Sequence, residues 1–334
     1  MTTSTYHFTP LAGYENMEAT TQMIIGEIIA RGLPFEIIDA DNNLIVVHHE
    51  GKEYTIMEGT ISDGNSLIAY WISNDKWMTR QFLHRAGVQQ AKAMLLQKGK
   101  EKSLEIERIA FPLVVKPADT DHGIAVSTNI CTFEELQTAI SQAFKHSNRV
   151  IVEEFFKGKE YRFLVIGGKV RAIAYREPAN VIGDGKQSVQ ELIDKKNVNR
   201  GDDYRHPLLK IRIDDEVKRH LSNQNMQLNS IVPENKKIYL RQNSNLSTGG
   251  DSIDLTDEMP DYYKTIAEQA AKAAGLNIAG VDIIINDWQA EPSVENYIVV
   301  ELNAPAMLSM HNYPYIGKNR NVEKYVLDVI LNSK

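Results

Sequence analysis

The stretches VDIII (residues 281–285) and IVVELN (residues 298–303) predict two apolar strands joined by a polar loop. Side chains alternate between the two faces of a strand, so Glu301 and Asn303 point the same way. If the strands pair as a hairpin across residues 286–296, Asp282 joins them, and three oxygen ligands of this kind suit Mg²⁺. The alternative is that these acids face solvent on half-exposed strands. The apolar flanking residues argue against that alternative, and burying the carboxylates without partners would be costly.

A lysine ends a second apolar strand, Leu113–Lys116, and a loop of mostly small residues follows it at positions 117–125. Such a lysine can hold a phosphate as a point charge while loop amides donate hydrogen bonds. The loop contains a single glycine, Gly123. A surface lysine before an ordinary turn is therefore the alternative.

Two further segments have the composition of ligand-binding loops. Val152–Phe156 runs into Gly158 and Glu160–Arg162, and could offer backbone hydrogen bonds to a purine and a carboxylate to a ribose. The alternative is an edge strand with solvated acids. Residues 241–251 combine Arg241 with small, polar and flexible residues, so they could wrap a polar substrate while the arginine stabilises a transferring phosphoryl group. A generic flexible loop is the alternative there.

Two other features suggest a structural role. The cluster Met310–Tyr315 contains His311, and we interpret it as pocket wall, without an acid or base function. Cys131 precedes a helix cap with no His and Asp pattern that would make it a nucleophile, so a buried or incidental thiol is expected.

Hydrophobic periodicity and turn signals predict the remaining elements. The first helix contains Met17 and Ile29 and stops at Gly32, Gly167-Gly168 forms a hairpin turn, and residues 199–246 stay unassigned. Capping boxes start two helices, at Thr132 and at Ser188. The other predicted helices cover residues 75–86, 132–144, 188–196, 261–274 and 322–330, and the predicted strands cover 35–39, 44–48, 113–116, 150–156, 162–166, 170–175, 281–285 and 297–302.

The length of 334 residues predicts two or three packed units. A net charge of −7 excludes a whole-protein cationic field for nucleic acid or anionic lipid. The single cysteine, the lack of a signal peptide and the lack of a long apolar run predict a soluble cytoplasmic protein without a membrane or nucleic-acid partner. No Walker A or GxGxxG motif follows a strand, which argues against P-loop and Rossmann sites.

Six strings together resemble the ATP-grasp superfamily, and in particular the ATP-grasp module of bacterial bifunctional glutamate–cysteine ligase/glutathione synthetases, with cyanophycin synthetase second. The strings are FPLVVKP (111–117), VEEFFKGKEYRF (152–163), REPANVIGDGKQSVQELI (176–193), YLRQNSNLSTGGDSIDLTDEMP (239–260), AGVDIII (279–285) and VELNAPAM (300–307). The resemblance implies an α+β ATP-grasp fold, in which two α+β subdomains (76–155 and 156–334) clamp ATP and a small α/β segment (1–75) precedes them.

The resemblance also implies roles for individual residues. Lys76 and Lys116 would contact the ATP phosphates, Glu160 the ribose, and Arg241 the γ-phosphoryl group and the acyl phosphate. Mg²⁺ or Mn²⁺ would bind Asp282, Glu301 and Asn303. The adenine hinge would be Glu153, Glu154, Phe155 and Phe156, and the acceptor side would be Arg162, Asn245, Ser247, Thr248, Gly249 and Gly250.

The implied activity is that of an ATP-dependent carboxylate–amine ligase with an acyl-phosphate intermediate, joining γ-glutamylcysteine to glycine. The alternatives are another amino-acid, dipeptide or cyanophycin-like ligase, and a non-catalytic ATP-binding scaffold or sensor. A homodimer is expected. Two departures from the family are notable: Ala125 stands in place of the second glycine of the phosphate loop, and the large ligase domain that precedes this module in the bifunctional enzyme is expected to be missing.

Overall fold

The computed structural model describes residues 7–100, 109–120 and 123–333, and in these ranges the chain forms nine α-helices and fifteen β-strands. All pairings between these strands are antiparallel, so the α+β class is confirmed. The helices are α1 Ala19–Ala30, α2 Leu67–Asn74, α3 Lys76–Arg85, α4 Phe133–Ala143, α5 Val189–Asn197, α6 Asp215–Asn223, α7 Asp261–Ala273, α8 Ser309–Asn312 and α9 Glu323–Leu331. The strands are β1 Phe35–Asp39, β2 Leu44–His49, β3 Lys52–Met57, β4 Ile61–Ser62, β5 Ala93–Gln97, β6 Leu113–Pro117, β7 Ser127–Ile130, β8 Arg149–Glu154, β9 Lys159–Ile166, β10 Lys169–Glu177, β11 Asn180–Ile182, β12 Lys237–Tyr239, β13 Asp251–Asp254, β14 Ile278–Ile285 and β15 Tyr297–Asn303.

The central sheet has five strands in the order β13-β10-β9-β14-β15. Phe163 and Val281 lie on one face and are buried in the core that α7 covers. Leu164 and Ile166 lie on the opposite face, against the N-terminal part of the chain. Since both faces are covered, the inner strands are apolar almost throughout, and a charged side chain among them requires a partner.

A second sheet, in the order β5-β8-β6-β7, has its own core with α4. Val115 and Val152 are fully buried in that core. The capping box at Thr132 is confirmed, because the Thr132 hydroxyl accepts from the amide of Glu135 and the Glu135 carboxylate accepts from that of Thr132. This sheet carries Lys116 and Glu153, and residues 155–158 link it to the central sheet.

The N-terminal sheet, β1-β2-β3-β4, differs from the sequence prediction. It has four antiparallel strands, so the expectation of an α/β segment is wrong, and the strand Lys52–Met57 was not predicted. α1 packs against α9 from the other end of the chain, and Arg31 joins them through an ion pair to Asp328 at 2.7 Å. The core of this unit continues into β9 and β14, which explains why a short helix-and-strand unit is stable here.

Residues 180–240 form a small packed unit of their own from α5, α6 and the two-stranded sheet β11-β12. Val181, Val217 and Ile238 are among its buried residues. The capping box at Ser188 is confirmed. Asp214 caps α6, a helix that lies within the stretch left unassigned in the sequence.

Most other predicted elements are confirmed with end shifts of a few residues, including the Gly167-Gly168 hairpin between β9 and β10. The domain limits at residues 76 and 156 stay predictions. At the first limit, α3 begins at Lys76, but this helix packs against β15 of the central sheet and against α7. At the second limit, residues 155–158 connect β8 of the second sheet to β9 of the central sheet. None of the helices in the described ranges is both long enough and apolar enough to span a membrane.

Candidate active site

The three residues predicted to bind a metal lie together on neighbouring strands. Asp282 of β14 is directly opposite Glu301 of β15, and Gly280 is opposite Asn303, so the predicted hairpin is confirmed. The register shifts after Asp282, because the next residue pairs with Val299. The Asn303 amide donates a hydrogen bond of 3.3 Å to Asp282 Oδ2.

Two arginines hold the Asp282 carboxylate. Arg162 is its cross-strand partner on β9 and donates through Nε to Oδ1 and through Nη2 to Oδ2, the latter at 2.8 Å. Arg176 on β10 adds a 3.2 Å hydrogen bond to Oδ2. Burial alone would raise the pKa of Asp282, but the two guanidinium groups outweigh it, and the pKa lies below its usual value. Asp282 is therefore an ionised carboxylate in a buried site.

Glu301 is in the opposite situation. Burial and the neighbouring charge of Asp282 raise its pKa, and Lys76 and Lys116 only partly oppose this. Among the residues that the structure describes, no arginine, lysine or histidine forms an ion pair with it. The pair Asp282 and Glu301 thus combines one compensated and one uncompensated carboxyl group, close to two lysines.

Lys116 lies in β6 and is 5% exposed. Its Nζ is 2.5 Å from Glu153 Oε1, and Arg80 Nη1 is 3.0 Å from Glu153 Oε2. The Glu153 side chain therefore points inward between two cations. A purine could therefore contact the backbone of Glu153 and of the following hinge residues, but not the Glu153 side chain.

The rest of the predicted hinge is partly engaged by the protein itself. The amide of Glu154 donates to Lys92 O and that of Phe155 to Pro112 O, each at 2.9 Å. The linker then passes close to the central sheet, where a Cβ at position 158 would lie 2.8 Å from the backbone of Ile285. Only glycine fits this approach, so Gly158 holds the hinge against β14.

Lys76 begins α3 beside the predicted phosphate loop. Its Nζ donates to Thr120 O, and its amide donates to Ala118 O at 2.8 Å. Residues 121 and 122 of the loop lie outside the described residues. Beyond them, Gly123 lies near the Asn245 amide, so the two predicted lid segments meet. Ala125 has a φ of 55°, the left-handed conformation that its glycine counterpart would adopt without strain.

Glu160 and the loop at 243–250 are connected through Arg176. Arg176 Nη1 is 2.6 Å from Glu160 Oε1, and its Nη2 donates to Asn245 Oδ1 at 2.9 Å. The Ser244 hydroxyl donates to the other oxygen of Glu160. Ser247 and Thr248 belong to a short 3-10 helix at Leu246–Thr248, followed by Gly249 and Gly250.

Arg241 is buried but lies among acids of α6. Its guanidinium pairs with Asp214 at 2.5 Å and with Glu216. The structure therefore places Arg241 in an ion-paired cluster with the start of α6, separate from the Asp282 network, and its role at a phosphoryl group stays a prediction.

Sequence reasoning did not assign roles to Arg80, Arg176 and Ser244. Arg176 could have been found, because it shares a strand face with Ala174 in β10 and alternation places it beside Arg162. Arg80 contacts Glu153 and Ser244 contacts Glu160, and in each pair the two residues are more than 70 positions apart in the sequence. The sequence alone does not predict such contacts. Cys131 is exposed, so its thiol is not buried. Of the two expectations for this residue, only that of an incidental thiol agrees with the structure.

The donor chemistry of the cluster suits a hard cation. Among the described residues, no three His, Cys, Asp or Glu side chains are arranged to hold a metal ion, and the predicted set has only two carboxylates. Its third member is the amide of Asn303, an oxygen ligand that Mg²⁺ accepts.

Comparisons with known proteins show which families the chain is similar to. A family model described as D-ala D-ala ligase C-terminus matches residues 82–233, and one described as ATP-grasp-like domain matches residues 15–68. A glutathione biosynthesis bifunctional protein of Desulfotalea psychrophila is 36% identical over 331 residues, covering 95% of this chain and 42% of that protein. The chain thus spans less than half the length of the curated relatives that it matches.

Two solved structures are similar in fold. The crystal structure of a bifunctional glutathione synthetase from Pasteurella multocida has a TM-score of 0.76 and 33% identity, and covers 97% of this chain and 45% of that chain. A D-alanine–D-alanine ligase from Bacillus anthracis has a TM-score of 0.51 and 17% identity, covering 80% of this chain and 69% of that one. The second likeness concerns the fold alone.

Proposed function

We propose that the chain is an ATP-dependent carboxylate–amine ligase of the ATP-grasp superfamily. The observation that carries the proposal is that the positive charges of Lys76 and Lys116 act on Glu301, the one acid of the site without an ion-pair partner in the described ranges. This set of charges would suit a metal-bound polyphosphate, because the lysines could meet phosphate oxygens and the carboxylate could hold the metal.

The proposed substrates are γ-glutamylcysteine and glycine. The support is the 36% identity to a protein named for glutathione biosynthesis and the similarity to a bifunctional glutathione synthetase. Because this chain corresponds to less than half of each, the pair remains a proposal for this chain. The use of ATP fits the cytoplasmic location expected from the sequence, and the homodimer stays an expectation.

ATP would lie between the second sheet and the central sheet. We assign the phosphates to Lys76 and Lys116, the adenine to the backbone of the Glu153–Phe156 hinge, and the ribose to Glu160. The Glu160 carboxylate is part-exposed and already oriented by Arg176 and Ser244, so it is fixed in place before a hydroxyl group binds.

Asp282, Glu301 and Asn303 fit a Mg²⁺ or Mn²⁺ ion, because they offer oxygen donors and the carboxyl group of Glu301 lacks an ion-pair partner in the described ranges. When bound there, the ion would neutralise charge on the ATP phosphates. Arg162 and Arg176 fix the orientation of the Asp282 carboxylate, and the Asn303 amide bonds to it as well.

The chemistry follows from the substrates. A carboxylate resists attack by an amine because its leaving group would be oxide, whereas an acyl phosphate releases phosphate. The acid attacks the γ-phosphorus of ATP and ADP leaves. The amine then attacks the acyl carbon and phosphate leaves with formation of the amide. We assign charge stabilisation at the phosphoryl group to Arg241, which requires that its pairs with Asp214 and Glu216 rearrange.

Water must be excluded while the acyl phosphate exists, since it would hydrolyse. The segments near Gly123 and Asn245, which lie against each other, are suited to close the site. The acceptor side, which is the part of the site that would hold the substrates beside ATP, would consist of Arg162, Asn245, Ser247, Thr248, Gly249 and Gly250.

The test is turnover by the purified protein. With Mg²⁺ and ATP, we expect ADP release that depends on both γ-glutamylcysteine and glycine, and a tripeptide in the mass spectrum. A panel of other acids and amines separates the alternative ligases. ATP binding with no ADP release across the panel would contradict the ligase and support a scaffold or sensor.

A further inference from the structure

His311 lies on the same side of the central sheet as the Asp282 network. α8, which contains it, packs against β10 and β13. The side chain is 2% exposed, and neither ring nitrogen has a hydrogen-bond partner within residues 7–100, 109–120 and 123–333. The charges that act on it are the guanidinium groups of Arg162 and Arg320 and the carboxylates of Asp254 and Asp282.

The adjacent residue shows that packing alone does not explain this arrangement. Asn312 is equally buried, yet its Oδ1 accepts from the amide of Val322 at 3.0 Å and its Nδ2 donates to Glu323. A buried polar group without partners costs free energy that an apolar side chain would not. An unpartnered imidazole one residue away from a fully bonded amide therefore indicates a ligand.

The chemistry of the imidazole restricts its role. Burial, and then the positive charge of Arg162, lower the pKa of His311 to about 3. At neutral pH the ring is uncharged and offers one donor and one acceptor. It is therefore suited to hydrogen bonding and unsuited to proton transfer near pH 7.

The position of α8 favours the acid substrate over the nucleotide. Met310 packs with Leu246 from the 243–250 loop and with Ala174 of β10. Among the residues assigned to ATP, Lys116 and the hinge belong to the second sheet, and only Glu160 lies in the central sheet. Asp282 of the predicted metal set and Arg162 of the predicted acceptor side both act electrostatically on His311.

We propose that His311 binds the acid substrate of the ligase, hydrogen-bonding through its ring nitrogens to polar groups of the molecule whose carboxylate is phosphorylated. This assignment rests on the proposed function. It gives His311 a role in substrate specificity, in place of the pocket-wall role expected from the sequence.

The test uses the full chain with His311→Phe, which removes both nitrogens, and His311→Gln, which keeps a donor and an acceptor. Met310→Leu is the matched control for a disturbance of α8, since it conserves volume.

We measure KM for γ-glutamylcysteine, glycine and ATP separately, with kcat and Tm. For His311→Phe we expect KM for γ-glutamylcysteine to rise about tenfold or more, because the substrate loses its buried partner. KM for ATP should stay within about twofold, and Tm should not fall, because a buried unpartnered group has been removed. His311→Gln should recover part of the loss.

An unchanged KM for γ-glutamylcysteine in His311→Phe would overturn the assignment, and so would an equal rise in Met310→Leu. If the phenylalanine does not fit and the variant fails to fold, His311→Leu is measured instead with the same expected results. Wild-type protein that forms no product is a different outcome. It contradicts the proposed function, and this assignment with it.

Discussion

The central sheet contains two pairs of carboxylates that face each other across neighbouring strands. In one, Asp282 of β14 is opposite Glu301 of β15, and in the other, Glu177 of β10 is opposite Asp251 of β13. Like charges in directly opposed positions destabilise a sheet unless cations accompany them. The two pairs are accompanied very differently.

Each acid of the second pair has its own partners. Asp251 pairs with Arg200 and with Lys196, the latter at 2.6 Å, and Glu177 pairs with Lys237 at 2.6 Å. Asn180 donates to both carboxylates. The charges of this pair are fully compensated within the protein, so it needs no ligand.

The first pair is compensated on one side only. Arg162 and Arg176 both bind Asp282, whereas Glu301 has no ion pair in the described ranges. The difference teaches that opposed carboxylates alone do not identify a metal site. A metal site is indicated when one of the two carboxylates lacks a counter-charge from the protein. We interpret Glu301, which lacks one, as the place where an external cation binds.

The largest effect is expected for Glu301→Gln. The change keeps the shape of the side chain and removes the charge, so ligation should fall about a thousandfold or more. Tm should stay equal or rise, because repulsion with Asp282 ends. Product formation and thermal unfolding are measured together. Glu177→Gln is the matched control, which should keep its turnover per folded molecule. Full activity in Glu301→Gln would remove the metal assignment.

Asp251→Asn should act on stability. It leaves Arg200 and Lys196 buried with no counter-charge, so the free energy of unfolding should fall by about 3–5 kcal/mol. Urea unfolding measures the change. If Asp251→Asn instead abolished turnover with no loss of stability, the second pair would be functional and the comparison would fail.

The pH dependence of stability should separate the pairs more finely. The pKa of Glu301 is raised in the folded protein, so the stability it contributes is complete below the ordinary value of 4.5 and is lost as the pH rises through the folded-state pKa. In metal-free protein, the unfolding free energy of the wild type relative to Glu301→Gln should therefore fall as the pH rises from 4.5 towards 7. Each pKa unit contributes about 1.4 kcal/mol.

Mg²⁺ added at pH 7 should stabilise the wild type more than Glu301→Gln, because binding to the folded state adds to its stability. Urea unfolding with and without the ion measures both. Parallel pH curves and equal effects of Mg²⁺ would show that Glu301 carries no special charge.

The smallest effect is expected outside both pairs, at Ala125. Its φ of 55° costs an alanine about 1 kcal/mol, and glycine removes that cost while adding entropy to the unfolded chain. Ala125→Gly should thus change stability by less than about 1 kcal/mol and KM for ATP by less than about threefold. A tenfold change in KM would show that the loop limits nucleotide binding.

Strand periodicity was sufficient to predict the first pair. Glu301 and Asn303 share a face because they are two residues apart, and a hairpin across residues 286–296 was the simplest arrangement that brings Asp282 to them. The arginine partners were beyond such reasoning. Arg162 meets Asp282 across 120 positions of sequence, and only the register of β9 against β14 decides that contact.

The environment of Arg241 was not predictable for a related reason. Its partners, Asp214 and Glu216, begin a helix in the stretch left unassigned in the sequence, and their contacts with Arg241 span 27 and 25 positions. The inward direction of Glu153 was hidden too. Its burial depends on Lys116 from a neighbouring strand and on Arg80 from a helix of another layer.

A crystal structure of the protein with a non-hydrolysable ATP analogue and Mg²⁺ tests the metal assignment most directly. We expect a divalent ion bound by oxygens of Asp282, Glu301 and Asn303 and by the terminal phosphates, with Glu177 and Asp251 unchanged. Side chains of the three residues turned away from the triphosphate, or an ion bound at the second pair, would contradict it.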